Sequence, residues 1–396
     1  MIRRSSTTLV AAVAISALVA TAPAGAKPAE TRPGTVVRVS PATGLSVVAG
    51  SASAEVLRYR MTSVRGTVVE ATGLVLLPPG APPAGGWPFV VYNHVTTGAA
   101  DLCDPSQVTP DNEAAELMTR GDDIATRLLD AGVAVLRPDY EGIGVPGPHP
   151  YLIGRSLATA VVDMVRAARR LEPRLGRDWV VAGHSEGGVG ALWTAAADQP
   201  LPRGTRLHGA VAFTPVTQTA LELELLRQLP ATGPVVGGLS ALGALILWGA
   251  ATTDPRMRAL LRTGGLSPEA VALLPHLEQR CLPGLSADDS WAGIAPADIP
   301  GDGPAGDELL ERLLVVMRAN DPAAVVVRPG LSVRIDAGIL DGVAPLPFTE
   351  QLVQGYRDQG VDVTYERWLG GHPEVVRDGW AAGPAVDWIL ERLAEQ

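Results

Sequence analysis

One stretch forces the chain to reverse almost within a single residue, and it constrains the fold more than anything else in the sequence. It is Gly183-His184-Ser185-Glu186-Gly187. The residues before it, Trp179–Ala182, are expected as a short apolar strand, and those after it, Gly187–Ala197, as a helix rich in glycine and alanine. A bend this sharp puts Ser185 into strained backbone angles, which packed side chains nearby would prevent. Gly183 and Gly187 remove that obstruction. Ser185 then stands at the edge of a sheet, at a helix N-terminus that favours developing negative charge. A G-x-S-x-G pentapeptide in a strand–turn–helix context is a nucleophile elbow.

The elbow lies within a regular alternation. Strands are expected at Phe89–Tyr92, Val133–Leu136, Trp179–Ala182 and Val211–Phe213. Helices are expected at Asp122–Ala131 and Leu157–Leu171. Strands that are apolar throughout, separated by helices, mean a mostly parallel sheet covered on both faces. Residues 27–54 read as an extended lead-in. From Ala54 to Leu77 antiparallel strands are expected, broken by turns at Ser63–Gly66 and Thr72-Gly73. The alternation stops over about residues 216–328, which read as a helical insertion. This stretch includes a helix start at Ser267-Pro268-Glu269 and a helix at Asp307–Arg318. Strands return at Leu331–Ile335 and Val361–Trp368, with helices at Thr349–Asp358, capped by Thr349, and at Trp380–Ala394. Such an insertion would cap the C-terminal strand ends, where open α/β sheets place their sites. Its run Val235–Ala251 reads first as a buried cap helix and second as a lid whose apolar face meets lipid.

A serine hydroxyl needs a base. For an elbow of this kind the chain order is serine, acid, histidine. Among the histidines, His94, His149 and His184 do not follow the nucleophile, and His276 lies in the insertion. The order selects His372, in the loop Gly370-Gly371-His372-Pro373. His184 is expected to project away from the site. The acid should follow the strand Leu331–Ile335. Asp341 is preferred because it lies in the loop beyond, whereas Asp336 still falls within the strand. Two backbone N–H groups are needed for the oxyanion. One is Glu186; the other is Val95 or Thr96, in the loop after Phe89–Tyr92. The segment Gly142-Ile143-Gly144-Val145-Pro146-Gly147 fits G-x-G-x-x-G, but Pro146, Pro148 and Pro150 forbid the helix a dinucleotide site requires. We expect no metal and no organic cofactor.

Composition narrows the setting. Lys27 is the only lysine among 32 basic residues, so no buried lysine is available for Schiff-base or Ser–Lys chemistry. Residues 1–26 read as a secretory signal: Arg3 and Arg4, an apolar run from Leu9 to Ala20, then Ala24-Gly25-Ala26. Its removal deletes two arginines and no acid, so a net charge of −10 becomes more negative. An acidic chain without a basic stripe is a poor nucleic-acid binder. Lipid contact, for which the cap is the candidate, must then be apolar. Cys103 and Cys281 suggest one disulfide in an exported chain; the alternative is two buried thiols.

Together these residues resemble the secretory lipase family of α/β-hydrolases, the lipase A type found in yeast and common in actinobacteria. The resemblance is carried by VVYNHVTTGAADLCDPS at Val90–Ser106 and DYEGIGVPGPHPYLIGRS at Asp139–Ser156. GHSEGG, Gly338–Asp341 and Gly371-His372 complete it. It covers about residues 55–395 and implies the α/β-hydrolase fold with a helical cap, so the catalytic domain is expected over 27–396. It also implies hydrolysis of triacylglycerols or simple carboxylic esters, and a triad on Ser185, Asp341 and His372. Rival readings are an acyltransferase with the same triad and a non-catalytic binding protein with an impaired oxyanion hole. Two departures from the family pattern bear on them. Val95 stands where glycine is usual and could crowd the backbone. Glu186 stands where glutamine is frequent, and a carboxylate beside an oxyanion is unfavourable unless it is paired or points away.

Overall fold

The computed structural model describes residues 32–395, so the leader expected at 1–26 lies outside the described residues. Among those described, the strands are β1 (Val36–Pro41), β2 (Ser53–Thr62), β3 (Val68–Leu77), β4 (Trp87–Asn93), β5 (Ala134–Pro138), β6 (Leu175–His184), β7 (Arg206–Phe213), β8 (Ser332–Gly338) and β9 (Val363–Trp368). They form one sheet in the order β1-β2-β3-β5-β4-β6-β7-β8-β9. The pairings from β1 through β3 to β5 are antiparallel, and all the others are parallel. The chain therefore has the α/β-hydrolase architecture, with a mostly parallel sheet and helices around it.

The helices before the elbow are α1 (Ala115–Met118), α2 (Asp122–Asp130) and α3 (Gly154–Leu171); α4 (Glu186–Thr194) follows it directly. Between β7 and β8 come α5 (Thr219–Leu226), α6 (Pro234–Ala251), α7 (Pro255–Leu260), α8 (Pro268–Leu273), α9 (Leu282–Leu285) and α10 (Pro304–Asn320). The last two are α11 (Leu346–Asp358) and α12 (Ala382–Ala394).

Strand β4 shows why the central strands are apolar throughout. Successive side chains point to opposite faces. Phe89 and Val91 join one buried cluster with Leu157 and Val161 of α3 and Leu192 of α4. Val90 and Tyr92 join another with Leu128 of α2 and Ile389 of α12. Neither face is left to water. Strand β4 also lies between β5 and β6, so the strand order reverses there, and the crevice beyond its C-terminal end is where such sheets bind ligands.

Several expectations need correction. The lead-in contains a strand, β1, that pairs with β2. Thr72-Gly73 is no turn, because β3 runs straight through it. A Cβ at Gly73 would meet the Arg137 carbonyl oxygen at 2.6 Å, so this glycine permits close approach of β5. Thr349 does not cap its helix. The helix starts at Leu346, with a proline in its first turn, and Thr349 is buried inside it. Ser267 does cap α8, its hydroxyl accepting from the Ala270 N–H at 3.2 Å. Helix α6 buries Ala241, Ala244 and Leu245 in the core. Among the described residues no helix is long and apolar enough to cross a membrane.

Candidate active site

The elbow has the geometry its glycines allow. Ser185 adopts φ 58° and ψ −114° between β6 and α4, a conformation that costs about 1–3 kcal/mol. A Cβ at Gly183 would meet the Gly187 carbonyl oxygen at 2.1 Å, and one at Gly187 would meet the Asn93 carbonyl oxygen at 2.2 Å. No side chain fits at either position. The bend is held by the Ser185 N–H donating to the Phe213 carbonyl at 2.9 Å. Ser185 itself is 3% exposed.

His372 reaches this region from the loop after β9. Its Nδ1 lies 2.7 Å from Asp341 Oδ2. Asp341 Oδ1 accepts the N–H groups of Val343 and Ala344, each at 2.8 Å, which fixes the carboxylate. With Nδ1 donating to the carboxylate, neutral His372 presents an unprotonated Nε2. That atom is buried and has no hydrogen-bond partner among the described residues. Asp336 is engaged elsewhere. It takes both arms of the Arg334 guanidinium at 2.8 Å and the Trp368 indole N–H at 2.9 Å.

His184 does not simply point away. Its ring packs against that of His372, with centroids 4.9 Å apart. Its Nε2 lies 3.0 Å from the His372 carbonyl oxygen, to which it donates. Burial holds its pKa well below the ordinary range, so the ring is neutral. The residue beside Ser185 in sequence thus ties down the loop that carries His372.

Three N–H groups are the expected oxyanion donors. Glu186 is the first residue of α4, where an N–H has no intrahelical partner. Among the described residues the N–H groups of Val95 and Thr96 donate to no protein acceptor. Val95 is buried and does not adopt a positive φ, so its side chain is accommodated without left-handed strain. Glu186 is fully buried and paired, its Oε1 lying 2.8 Å from Nε2 of His149. Thr96 Oγ1 is hydrogen-bonded to the Tyr151 hydroxyl at 2.9 Å. Sequence reasoning missed His149, Tyr151 and the packing of His184. The only available signal was His149-Pro150-Tyr151 in the loop after the glycine run, which shows nothing of its distant partners.

Two further histidines, His276 and His208, are bonded to other partners. His276 bonds Ser290 Oγ at 2.9 Å, and His208 bonds Asp178 at 2.8 Å. The Gly142–Gly147 loop opens no helix; the next one starts at Gly154. Cys103 and Cys281 form a disulfide, their Cα atoms 5.5 Å apart. Next to it the Leu282 N–H donates to the Thr97 carbonyl at 2.8 Å, so the bridge fastens the 94–98 loop to the segment after β7. Among the described residues no cluster of three His, Cys, Asp or Glu is arranged to hold a metal.

A largely apolar cavity of about 390 Å³ borders Asp341 through Gly342 and Val343. Leu223, Leu226, Leu242, Ile246 and Phe348 line it, and Glu222 is its one acid. A larger groove of about 990 Å³ is lined by Asp288, Asp289, Asp298 and their neighbours. None of Ser185, Asp341 and His372 lines either space, but the apolar one includes the two residues that follow Asp341.

Comparison with known proteins bears on the fold and the family. A trichothecene C-3 esterase of Fusarium sporotrichioides is 26% identical over 404 residues, spanning 95% of this chain and 83% of that protein. A probable trichothecene esterase of Stachybotrys chartarum is 25% identical over 378 residues, spanning 90% and 73%. Among solved structures, Candida antarctica lipase A in its closed state superposes with a TM-score of 0.73 at 16% identity, covering 91% of this chain and 82% of that one. The rice cell wall degrading esterase LipA of Xanthomonas oryzae gives 0.70 at 17% identity, covering 91% and 100%. These structures share the fold. The secretory lipase family model matches residues 112–396, which include the elbow, Asp341 and His372, and the chain belongs to the secretory lipase family.

Proposed function

We propose that this protein is an exported serine hydrolase that cleaves carboxylic esters through an acyl-enzyme on Ser185. The observation that carries the reading is His372. Its Nδ1 is committed to Asp341, while its Nε2 is buried without a hydrogen-bond partner among the described residues, and its ring packs against that of His184, the neighbour of Ser185 in sequence. The Ser185 hydroxyl attacks the ester carbonyl as Nε2 takes its proton. Asp341 holds the tautomer and stabilises the imidazolium. The N–H of Glu186, with that of Val95 or Thr96, binds the oxyanion. The alcohol leaves with the proton from His372, and water activated by the same nitrogen releases the acid.

The apolar cavity beside Asp341 is the place for the ester's apolar part, and its volume lies within the usual range for ligand pockets, roughly 300–1,000 Å³. We read residues 216–328 as a cap over the site. Ser185 and His372 are at most 9% exposed, so an ester enters when that cover moves. Exposed Leu221, Leu225 and Leu229, on and just after α5, offer an apolar face for transient contact with a lipid interface. Export is supported by the disulfide, which belongs to an oxidising compartment.

Replacing Ser185 by alanine tests the assignment. Turnover of p-nitrophenyl esters should fall on the order of 10⁵–10⁶-fold, and a fluorophosphonate should label the parent at Ser185 and leave the variant unlabelled. An alanine variant as fast as the parent ends the reading.

A further inference from the structure

His149 and Glu186 form a second histidine–carboxyl pair that takes no part in the steps above. Both side chains are fully buried, and Nε2 lies 2.8 Å from Glu186 Oε1. The other ring nitrogen, Nδ1, lies 2.9 Å from the Glu141 carbonyl oxygen. A carbonyl oxygen only accepts, so Nδ1 carries a proton and donates it. Two states remain for Nε2. Either it is protonated and faces a carboxylate, or it is bare and accepts from a protonated carboxyl. One proton lies between the groups in both, and the pair is net neutral in both. The second carboxyl oxygen of Glu186 is buried with no partner among the described residues. His149 is thus the group that makes this acid tolerable at the residue whose N–H faces the oxyanion.

The pair is also packed into the other half of the oxyanion site. The His149 ring stacks on Tyr140 at 6.0 Å, and Tyr140 stacks on His94 at 4.1 Å. The Tyr140 hydroxyl donates to the His94 carbonyl at 2.8 Å. On its other side His149 meets Tyr151, whose hydroxyl holds Thr96. Tyr140 and Leu152 both adopt positive φ, of 71° and 56°, a strain that persists only where packing over-determines the loop.

Resting on the reading of Ser185 as nucleophile, we propose that His149 is a positioning residue: it holds Glu186 in a net-neutral pair, keeps negative charge out of the oxyanion hole, and spaces its two N–H donors through Tyr140 and Tyr151. The titratable groups facing the pair supply no substitute cation. Tyr140 and Tyr151 are raised by burial and stay neutral. Burial lowers His94 to about 3. The Glu141 carboxyl, raised by burial, is occupied by the Val64 N–H and Ser156 Oγ.

The test is a double-mutant cycle of His149→Phe and Glu186→Gln, with kcat and KM for a p-nitrophenyl ester as the readouts. Alone, His149→Phe leaves a buried carboxyl without its partner. It should lower kcat about 100-fold with little change in KM, as loss of an oxyanion donor does. In the Glu186→Gln background the same substitution should cost less than about 5-fold. An equal cost in both backgrounds, or a change in KM with kcat kept, overturns the proposal. Should His149→Phe not fold, His149→Gln replaces it: its amide can donate to the Glu141 carbonyl but offers no second ring proton, and the same two readouts decide. Fluorophosphonate labelling of the parent keeps the two readings apart. No label on Ser185 removes the nucleophile assignment, whereas labelling without coupling removes only the role of His149.

Discussion

Two buried histidine–carboxyl pairs involve the residues of the elbow and its neighbours, and they differ in one nitrogen. His372 and His149 each approach a carboxyl oxygen to within 2.7–2.8 Å. In His372 it is Nδ1 that is spent on Asp341, so Nε2 remains without a partner among the described residues. In His149 both nitrogens are spent, on Glu141 and on Glu186. The carboxyl groups differ as well. Asp341 accepts two backbone N–H groups that fix it in place. Glu186 accepts none, and one of its oxygens is orphaned. On the reading proposed above, a histidine beside a carboxyl group makes a base in one place and a positioning brace in the other. What decides is the partner of the second nitrogen.

The largest effect that separates the pairs is expected from Asp341→Asn. The amide keeps the shape but no longer fixes the reactive tautomer or balances the imidazolium. We expect kcat to fall by about 10⁴-fold with the fold intact, against the roughly 100-fold set for His149→Phe. Comparable losses in the two variants would erase the distinction. Rapid-mix kinetics on a p-nitrophenyl ester, with unfolding curves for both, reads it directly.

Next comes a third carboxylate, Asp336, two residues inside the end of β8. It lies close to Asp341 in sequence, but its partner is a permanent cation, Arg334, and both side chains are buried. Asp336→Asn strands that guanidinium. Breaking a buried pair in this way costs about 3–5 kcal/mol of stability. Turnover per folded molecule should change little, because His372 is not its partner. A large fall in kcat for correctly folded Asp336→Asn would show that the acid's role is shared between the two aspartates.

These three acids also show what a sequence can reveal. The bend at Ser185 was legible because it depends on local bulk: two glycines, a strand and a helix within a few residues. Asp336 and Asp341 could be ranked because strand length alone separates a residue in the sheet from one beyond it. The parallel sheet was legible from runs such as Phe89–Tyr92, which bury both faces. Other features depended on partners far away in the chain. Gly73 reads as a turn until Arg137 of β5 is seen pressing against it. The strand β1 has too little apolar pattern to reveal itself before β2 pairs with it. Thr349 fits a cap until α11 is found to start earlier, and His149 was one unassigned histidine until Glu186 was found beside it. Local sterics can be read along the chain; pairing across it cannot.

The smallest effect concerns an acid with no histidine at all. Glu222 borders the apolar cavity, and the charges that act on its carboxyl are those of other acids. Burial first, then the charges of Asp321 and Asp341, raises it from the ordinary 4.5 to about 8. A carboxyl raised in the folded state binds its proton more tightly there than in the unfolded chain. Its contribution to stability is complete below 4.5, declines as pH rises, and is lost above about 8. Glu222→Gln removes this dependence, so its melting temperature should fall less than the parent's between the two values. The paired acids Asp341 and Glu186 each face a histidine, and Glu222 does not. If Glu222→Gln follows the parent's melting curve at every pH, then burial beside the cavity does not hold the proton, and a carboxyl in this protein tolerates the apolar wall without a histidine to share it.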